Sequence, residues 1–358
     1  MSLRHAGATL LGVCALVSLA APAGASAGSK SDRDVKVMTR NLYLGADLIP
    51  LAVQPSLEAF EQAAAQRLQT VQSNDFGTRA KGIAAEIVKY KPDLIGIQEA
   101  AVWKRGPDGV LDGATTAADQ TVYDSVVDLL NEIKARGGSY KVVVKRPWFD
   151  YEAPTALGYD VRLTQQDVVL ARTGKGARVR LGKAFKGGFS KTFDVPTQVG
   201  IARSPRGWAG VDGSVGGRKF RFVTTHLEAY SPEIADTQMQ QLLRQPLASQ
   251  KRQTILVGDF NSDPKTAGTD LGAQRAPSAY ASAIDAGFAN PLPRRETCCF
   301  AEDLHDTSKK LDSWIDHIIA RPRARAVTSA IVGSRPSERV GGLWPSDHAG
   351  IVATLRLP

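Results

Sequence analysis

Apolar and polar positions change their period several times along the chain, and the changes mark its elements. Leu10–Ala20 is a short, mostly apolar run near the N-terminus. Val35–Leu44 reads as a strand. Pro55-Ser56 opens a helix whose apolar residues Leu57, Phe60, Ala64, Leu68 and Val71 recur at spacings of three and four. Ile83, Ala84, Ile87 and Tyr90 mark a second helix, ended by Pro92, and Asp93–Glu99 reads as a strand after it. Val122, Val126, Leu129, Leu130 and Ile133 mark a third helix, stopped by Gly137-Gly138. Tyr140–Val144 and Val168–Ala171 read as strands, and the glycine-rich stretch 173–217 as hairpins. Phe220–Thr225 and Thr254–Gly258 are further strands. Ser231-Pro232-Glu233 starts a helix, with the proline at its tolerated first position. Ala279–Ala286 reads as a helix, and Ser313–Ile319 and Ile351–Leu357 as closing strands. Strands cluster without intervening helices in the middle of the chain. That argues for a layered α/β or α+β arrangement and against eight regular βα units.

Composition narrows the class. The 358 residues are 43% hydrophobic and 23% charged, ordinary for a soluble globular protein. There is enough apolar surface to exclude a mostly disordered chain. One uninterrupted apolar stretch, at the extreme N-terminus, excludes a polytopic membrane protein. With Arg4 before it and Ala25-Ser26-Ala27 after it, this stretch is expected to be a signal peptide over residues 1–27, and the chain to be secreted into the extracellular space. Cys14 lies inside the apolar run, which speaks against a lipoprotein signal. Cys298 and Cys299 are adjacent and form either a vicinal bridge or two buried thiols; in neither case do they staple the fold. A net charge of +9 implies an anionic partner and leaves nucleic acid, an anionic membrane surface and a phosphorylated metabolite open.

Several apolar runs end in a polar residue of a particular kind. The run from Val35 ends at Asn41, that from Leu94 at Glu99, that from Phe220 at His226, and that from Ile255 at Asp259, followed by Phe260-Asn261. Carboxyl ends of packed strands hold side chains rigidly beside open loops, which suits a ligand site. One such end means little; four that supply two carboxylates, two amides and a histidine are harder to dismiss. Asp316 is a charge inside an apolar strand, and buried carboxylates are rare unless paired. Ser346-Asp347-His348 immediately precedes the last strand.

Thr39-Arg40-Asn41-Leu42, Ile97-Gln98-Glu99, Thr225-His226-Leu227, Gly258-Asp259-Phe260-Asn261, Trp314-Ile315-Asp316-His317 and Ser346-Asp347-His348 stand in one order. In that order they resemble the endonuclease/exonuclease/phosphatase superfamily, whose members include deoxyribonuclease I-like nucleases, neutral sphingomyelinases and inositol-polyphosphate 5-phosphatases. The resemblance runs from Asn41 to His348, so residues 28–358 are expected to form one domain. It implies an α/β fold, a four-layer α/β/β/α sandwich of two mixed β-sheets packed face to face and flanked by helices. It also implies a divalent-metal-dependent phosphoesterase. Glu99 would be the principal metal ligand, helped by Asn41 and Asp347. An oxygen set of this kind suits Mg²⁺, with Mn²⁺ or Ca²⁺ as alternatives, and no Cys-His spacing fits zinc. His348, held by Asp316, would act with Asp259 in water activation, and Asn261 and His226 would bind the phosphoryl oxygens. The expected partner is an anionic phosphoester, nucleic acid first, with a membrane surface not favoured and a monomer expected. A sphingomyelinase-like phospholipid phosphodiesterase or an inositol-phosphate phosphatase is the alternative. A non-catalytic binding protein ranks last, because no residue of the set is missing.

Three expectations concern neighbours of the set. Asp167 ranks first among Asp150, Glu152, Asp160 and Asp167 as the group that orients His226. Asp263 is expected to be a turn or cap residue. His317 should face away from Asp316 by strand alternation and be structural.

Overall fold

The computed structural model describes residue 2 and residues 30–111, 118–265 and 276–358. The expected signal peptide and Cys14 lie outside the described residues, apart from residue 2.

Strand β1 (Asp34–Asn41) is buried almost throughout, as its near-continuous apolar pattern requires. It pairs in parallel with β2 (Leu94–Pro107) and antiparallel with β14 (Gly350–Arg356). Outside these lie β13 (Arg325–Val332) on one flank, and β5 (Tyr159–Arg172) and then β4 (Tyr140–Ala153) on the other. β3 (Gln120–Asp124) pairs with the outer half of β2. The second sheet runs β12 (Asp316–Arg321), β11 (Thr254–Asp259), β10 (Arg218–His226), β9 (Gly207–Val215), β6 (Arg180–Gly188), with β10 and β11 parallel and the rest antiparallel. A hairpin, β7 (Phe193–Thr197) and β8 (Gly200–Ser204), stands apart from both sheets.

Alternation assigns each strand's two faces to different layers. Val35, Val37, Leu94 and Val169 of the first sheet meet Val211, Phe222, Ile255 and Ile318 of the second. On the outer face of the first sheet, Met38, Ile95 and Val168 pack against Ile83 and Ile87 of α3 (Phe76–Tyr90) and Leu129 and Ile133 of α4 (Ser125–Ala135). On the outer face of the second, Val223, Leu256 and Ile319 pack against Met239 and Leu242 of α5 (Pro232–Arg244) and Ala279 and Ala283 of α6 (Ser278–Asp285). The result is the four-layer α/β/β/α sandwich. Burying each of these larger apolar side chains stabilises the fold by roughly 1.5–3 kcal/mol. α2 (Leu57–Ser73) packs Phe60, Leu68 and Val71 against Trp103 and Leu163, after a short α1 (Ile49–Ala52).

The two sheets approach closely at Gly96, where an added Cβ would sit 2.6 Å from both Thr224 Oγ1 and Val257 Cγ2. Beside this point Gln98 Nε2 donates to Thr224 Oγ1 (2.7 Å), tying the sheets together one residue before Glu99.

Three details differ from the sequence expectation. Val122 belongs to β3, not to the helix, because Asp124 accepts from the amides of Val126 and Val127 and so starts α4 at Ser125. β13 was not expected; it is an edge strand of mixed exposure, with Thr328 and Ser329 breaking the apolar pattern. The last-but-one strand of the expected set starts at Asp316 rather than Ser313. Among the described residues no helix is long and apolar enough to cross a membrane.

Candidate functional site

The strand ends of both sheets converge on one side. β1 stops at Asn41. In β2 the register against β5 slips between Ile97 and Ala100, and Glu99 takes a positive φ of 52°. A bulge of this kind re-aims a side chain, and here it marks where Glu99 leaves the regular ladder. In the second sheet His226 pairs with Asp259, and Asp259 with Asp316, so three adjacent strands set an imidazole and two carboxylates in a row. Gly258, directly before Asp259, has φ 141°, and a Cβ there would lie 1.9 Å from Thr225 O; no other residue fits that approach.

The Ser346–His348 loop is fastened to this end by buried cations. Arg40 pairs with Glu86 (3.1 Å) and donates to the carbonyl of His348. Arg79 donates to the carbonyls of Leu42 (2.7 Å), Tyr43 (3.2 Å) and Pro345 (3.1 Å). Ser346 Oγ donates to Asn41 O at 2.9 Å.

Within this frame Asp259 is the hub. Asn41 Nδ2 donates to Glu99 Oε1 (3.1 Å) and to Asp259 Oδ2 (3.2 Å). Asp259 Oδ2 lies 3.5 Å from His226 Nε2 and 3.8 Å from His348 Nε2, while Oδ1 accepts from Asn261 N at 2.9 Å. His348 Nδ1 is 2.8 Å from Asp316 Oδ2. Asn261 Nδ2 donates to Leu227 O at 3.0 Å. Glu99 Oε2 accepts from Leu44 N (2.9 Å), and Asn41 Oδ1 from Tyr43 N (2.9 Å). Asp347 accepts from Ser346 Oγ at 3.3 Å and borders the same cleft as Glu99. The structure thus brings together the residues that the sequence singled out.

Charge is concentrated here. Burial, reinforced by Asp316, pushes Asp259 up to about 7. Burial also raises Asp347, with Glu99 adding to the effect. Burial would depress His348, but the carboxylates of Asp316, Asp347 and Asp259 outweigh it and raise the group to about 10. Burial lowers His226 well below its ordinary value, helped by Arg206 and His348, so this ring is neutral. Among the described residues neither Glu99 nor Asp347 has a Lys or Arg ion-pair partner within 4.0 Å, although the charges of His348 and Arg79 act on Asp347; the two carboxylates and Asn41 Oδ1 are oxygen ligands of the kind a hard divalent cation takes. Two groups of three further ligand types also lie within 4.8 Å of one another: Asp259, Asp316 and His348, and Cys298, Cys299 and His348.

The site opens into a cleft of about 420 Å³. One wall is aromatic, with Trp148, Phe149, Tyr151, Phe193 and Tyr230; Leu48, Ile49 and Leu51 add an apolar rim. A larger depression of about 570 Å³, bordered by Tyr90, Trp314 and Ile331, touches none of the eight candidate residues. Arg206 lines the cleft and was not expected. Arg206 is buried, its guanidinium stacks on Trp148 (4.4 Å) and its Nε pairs with buried Glu228 at 3.8 Å, while Nε and Nη1 make no hydrogen bond. The sequence marks it merely as an arginine between Pro205 and Gly207; in the structure it takes φ 35° at the entry to β9.

The expected orienter of His226 is not in place. His226 Nδ1 has no hydrogen-bond partner among the described residues. Asp167 is fully buried, but Trp148 touches both groups: its ring meets His226 edge-on at 5.9 Å, and it lies beside Asp167. Asp150 is engaged by Arg162 (2.6 Å), Glu152 by Ala118 N, and Asp160 by the amides of Gly109 and Val110. Asp263 is more than a turn residue: it accepts from Lys265 N, as a turn requires, but is wholly buried and paired with Arg294 at 2.6 Å. His317 is structural, with Nε2 3.0 Å from Ser262 O and its ring among Phe260, Tyr280 and Trp314.

The fold is similar to that of several solved proteins. An endonuclease/exonuclease/phosphatase family protein of Bacteroides thetaiotaomicron matches with a TM-score of 0.55 at 15% identity, over 90% of this chain and 97% of that one. A mannosyl-6-phosphatase of Bacteroides thetaiotaomicron VPI-5482 matches with 0.54 at 16% identity, over 90% and 100%. An endonuclease/exonuclease/phosphatase of Beutenbergia cavernae DSM 12333 matches with 0.51 at 19% identity, over 91% and 72%. No curated protein matches the chain. The model of the Endonuclease/Exonuclease/phosphatase family, whose members are hydrolytic phosphoesterases and generally depend on a divalent metal, matches residues 70–348. The chain belongs to that family.

Proposed function

We propose that the chain is an exported, divalent-metal-dependent phosphodiesterase that cleaves single-stranded nucleic acid. The observation that carries the hydrolytic part is the position of Asp259, whose carboxylate stands between the Asn41–Glu99 pair and the two imidazoles of His226 and His348.

Glu99 and Asp347, with the Asn41 amide, would hold Mg²⁺ or a similar cation, which when bound supplies charge neutralisation at the phosphate and its leaving oxygen. Asp259 Oδ2 orients the attacking water and takes its proton. Asp316 holds Nδ1 of His348 and, with the other carboxylates around the ring, favours the imidazolium, which presents Nε2–H to the phosphoryl oxygens. The Arg206 guanidinium would hold the substrate phosphate equally in the ground state, while the neutral ring of His226 and the Asn261 amide add donors on the other side of the phosphate. Such preorganised donors stabilise the charge that grows in the transition state.

The aromatic wall supports the substrate class. Bases stack on aromatic faces at about 1–3 kcal/mol each, with little sequence preference. Phe193 and Tyr230, with ring centroids 5.6 Å apart, and Phe149 and Tyr151 offer such faces beside the hydrolytic centre. A cleft of about 420 Å³ suits one or two unpaired nucleotides better than a duplex. One observation favours a second reading, a phospholipid phosphodiester: Leu48, Ile49, Leu51 and Val195 line the rim, and Val53 and Ile201 stand exposed near it. The phosphatase named among the structural neighbours adds sugar phosphates to the compounds worth testing.

A phosphoester panel with EDTA controls decides between them. The purified chain with Mg²⁺ is expected to cleave single-stranded DNA or RNA faster than duplex DNA, sphingomyelin, inositol phosphates or a mannose 6-phosphate. Cleavage of sphingomyelin alone would transfer the proposal to the lipid reading.

A further inference from the structure

The adjacent cysteines take no part in the chemistry above, yet they border the same cleft. Cys298 and Cys299 are joined in a disulfide. Their sulfurs lie 3.4 Å and 3.9 Å from Nε2 of His348. This is the nitrogen left facing the cleft, because Asp316 holds Nδ1. The surrounding backbone fixes the pair. Cys298 exchanges backbone hydrogen bonds with Ser313, Ala349 N donates to Thr297 O (2.7 Å), and Phe300 N donates to Asp347 O (2.8 Å). The segment carrying the cysteines is therefore clamped to the segment carrying Asp347 and His348, and the sulfurs keep their place beside the imidazole.

The two sulfurs and Nε2 form a compact ligand set whose atoms all lie within 4.8 Å of one another. Sulfur and imidazole ligands are soft and select zinc or cadmium, whereas the Glu99 and Asp347 oxygens suit a hard cation. We propose that Cys298, Cys299 and His348 form a second cation site, available only when the cysteine pair is reduced, that captures a thiophilic divalent ion and withdraws His348 from the phosphate. The disulfide is then the form that keeps the imidazole free for hydrolysis. The inhibitory part rests on the role given to His348 above; the binding part does not.

The steps balance without any group taken from the protein. An external dithiol or phosphine supplies two electrons, the S–S bond breaks, and two protons from water complete the thiols. Binding of the cation displaces both thiol protons and the Nε2 proton into solvent, and a water fills the fourth position.

Cadmium titration of the purified chain tests this, after reduction with a phosphine that is then removed, against the untreated chain. Cadmium bound per chain, cadmium–thiolate absorption in the ultraviolet and Mg²⁺-dependent hydrolysis are all recorded. The reduced chain is expected to bind one Cd²⁺ with thiolate absorption and to lose at least 10-fold in rate, with recovery on chelation. The untreated chain is expected to do neither. The Cys298→Ser, Cys299→Ser double variant, scaled to its own cadmium-free rate, is expected to lose the response, and His348→Gln to weaken cadmium binding at least 10-fold. Absence of thiolate absorption in the reduced chain, or equal inhibition of the untreated chain and the double variant, would overturn the proposal. Thiolate-bound cadmium in a chain that hydrolyses none of the phosphoesters would uphold the site and overturn the catalytic reading.

Discussion

The same strands pass through two contrasting regions. Midway along them Val37, Val169, Phe222 and Ile255 fill the space between the sheets with apolar side chains. A few residues farther on, Asn41, Glu99, His226 and Asp259 crowd polar groups that share too few partners. Buried atoms without a hydrogen bond at this end include His226 Nδ1, Asp316 Oδ1 and Arg206 Nη1. Backbone strain gathers there. Of the described non-glycine residues with φ above 20°, Tyr43, Glu99, Arg206 and Asn261 border the cleft, and only Lys91 lies elsewhere. The contrast teaches a division of labour. Strain and unpaired polar groups persist only where the surroundings over-determine them, and the apolar middle supplies that surplus.

Substitutions that separate the two regions sharpen the contrast. Asp259→Asn is nearly isosteric and removes the charged hub; hydrolysis is expected to fall by roughly 10²–10⁴, the usual contribution of a positioned base. Its denaturation midpoint should hold or rise, because a buried carboxylate crowded by Asp316 is gone. Phe222→Ala should do the reverse, costing about 3–5 kcal/mol in chemical denaturation while the rate per folded molecule stays within a few-fold. A variant pair that lost activity and stability together at both positions would dissolve the distinction.

A smaller effect is read from pH. His317 is wholly buried, and burial pushes it from 6.5 down to about 4. The unfolded chain takes up this proton below about pH 6.5, whereas the folded one takes it up only near pH 4. Stability from this group is therefore full above pH 6.5 and declines as the pH falls toward 4, by up to about 3 kcal/mol. Denaturation midpoints across that range should slope less steeply for His317→Gln than for the parent chain. The smallest effect is expected at the cleft wall. Arg206→Ala should raise KM by about tenfold, worth roughly 1.4 kcal/mol, with a lesser change in kcat. An unaltered KM would remove Arg206 from substrate binding.

Much of this organisation was legible in the residues. The caps at Ser56 and Ser231 and the ends of β1, β10 and β11 are local events, written in a few neighbouring side chains. The convergence of the eight candidate residues was legible because each closes an apolar run or sits in a short motif. What escaped depends on partners far along the chain. Asp263 reads as a turn residue until Arg294 meets it. Asp167 reads as the orienter of His226 until Trp148, from the neighbouring strand β4, comes to lie against both. Arg206 carries no motif and gains meaning only by stacking on that same tryptophan. β13 escaped because most of its first five residues are exposed and Thr328 and Ser329 stand side by side, so no apolar alternation marks it.

The central claim is that Asp259, set between a cation site and two imidazoles, drives metal-assisted cleavage of a phosphodiester. Its most direct test is the rate of phosphodiester cleavage on single-stranded DNA by the purified chain and by folded Asp259→Asn, each with Mg²⁺ and with EDTA. The account predicts cleavage by the parent chain that EDTA abolishes and Mg²⁺ restores, and a variant slower by at least 10²-fold. Cleavage that ignores EDTA, or an Asp259→Asn rate equal to the parent's, would contradict it.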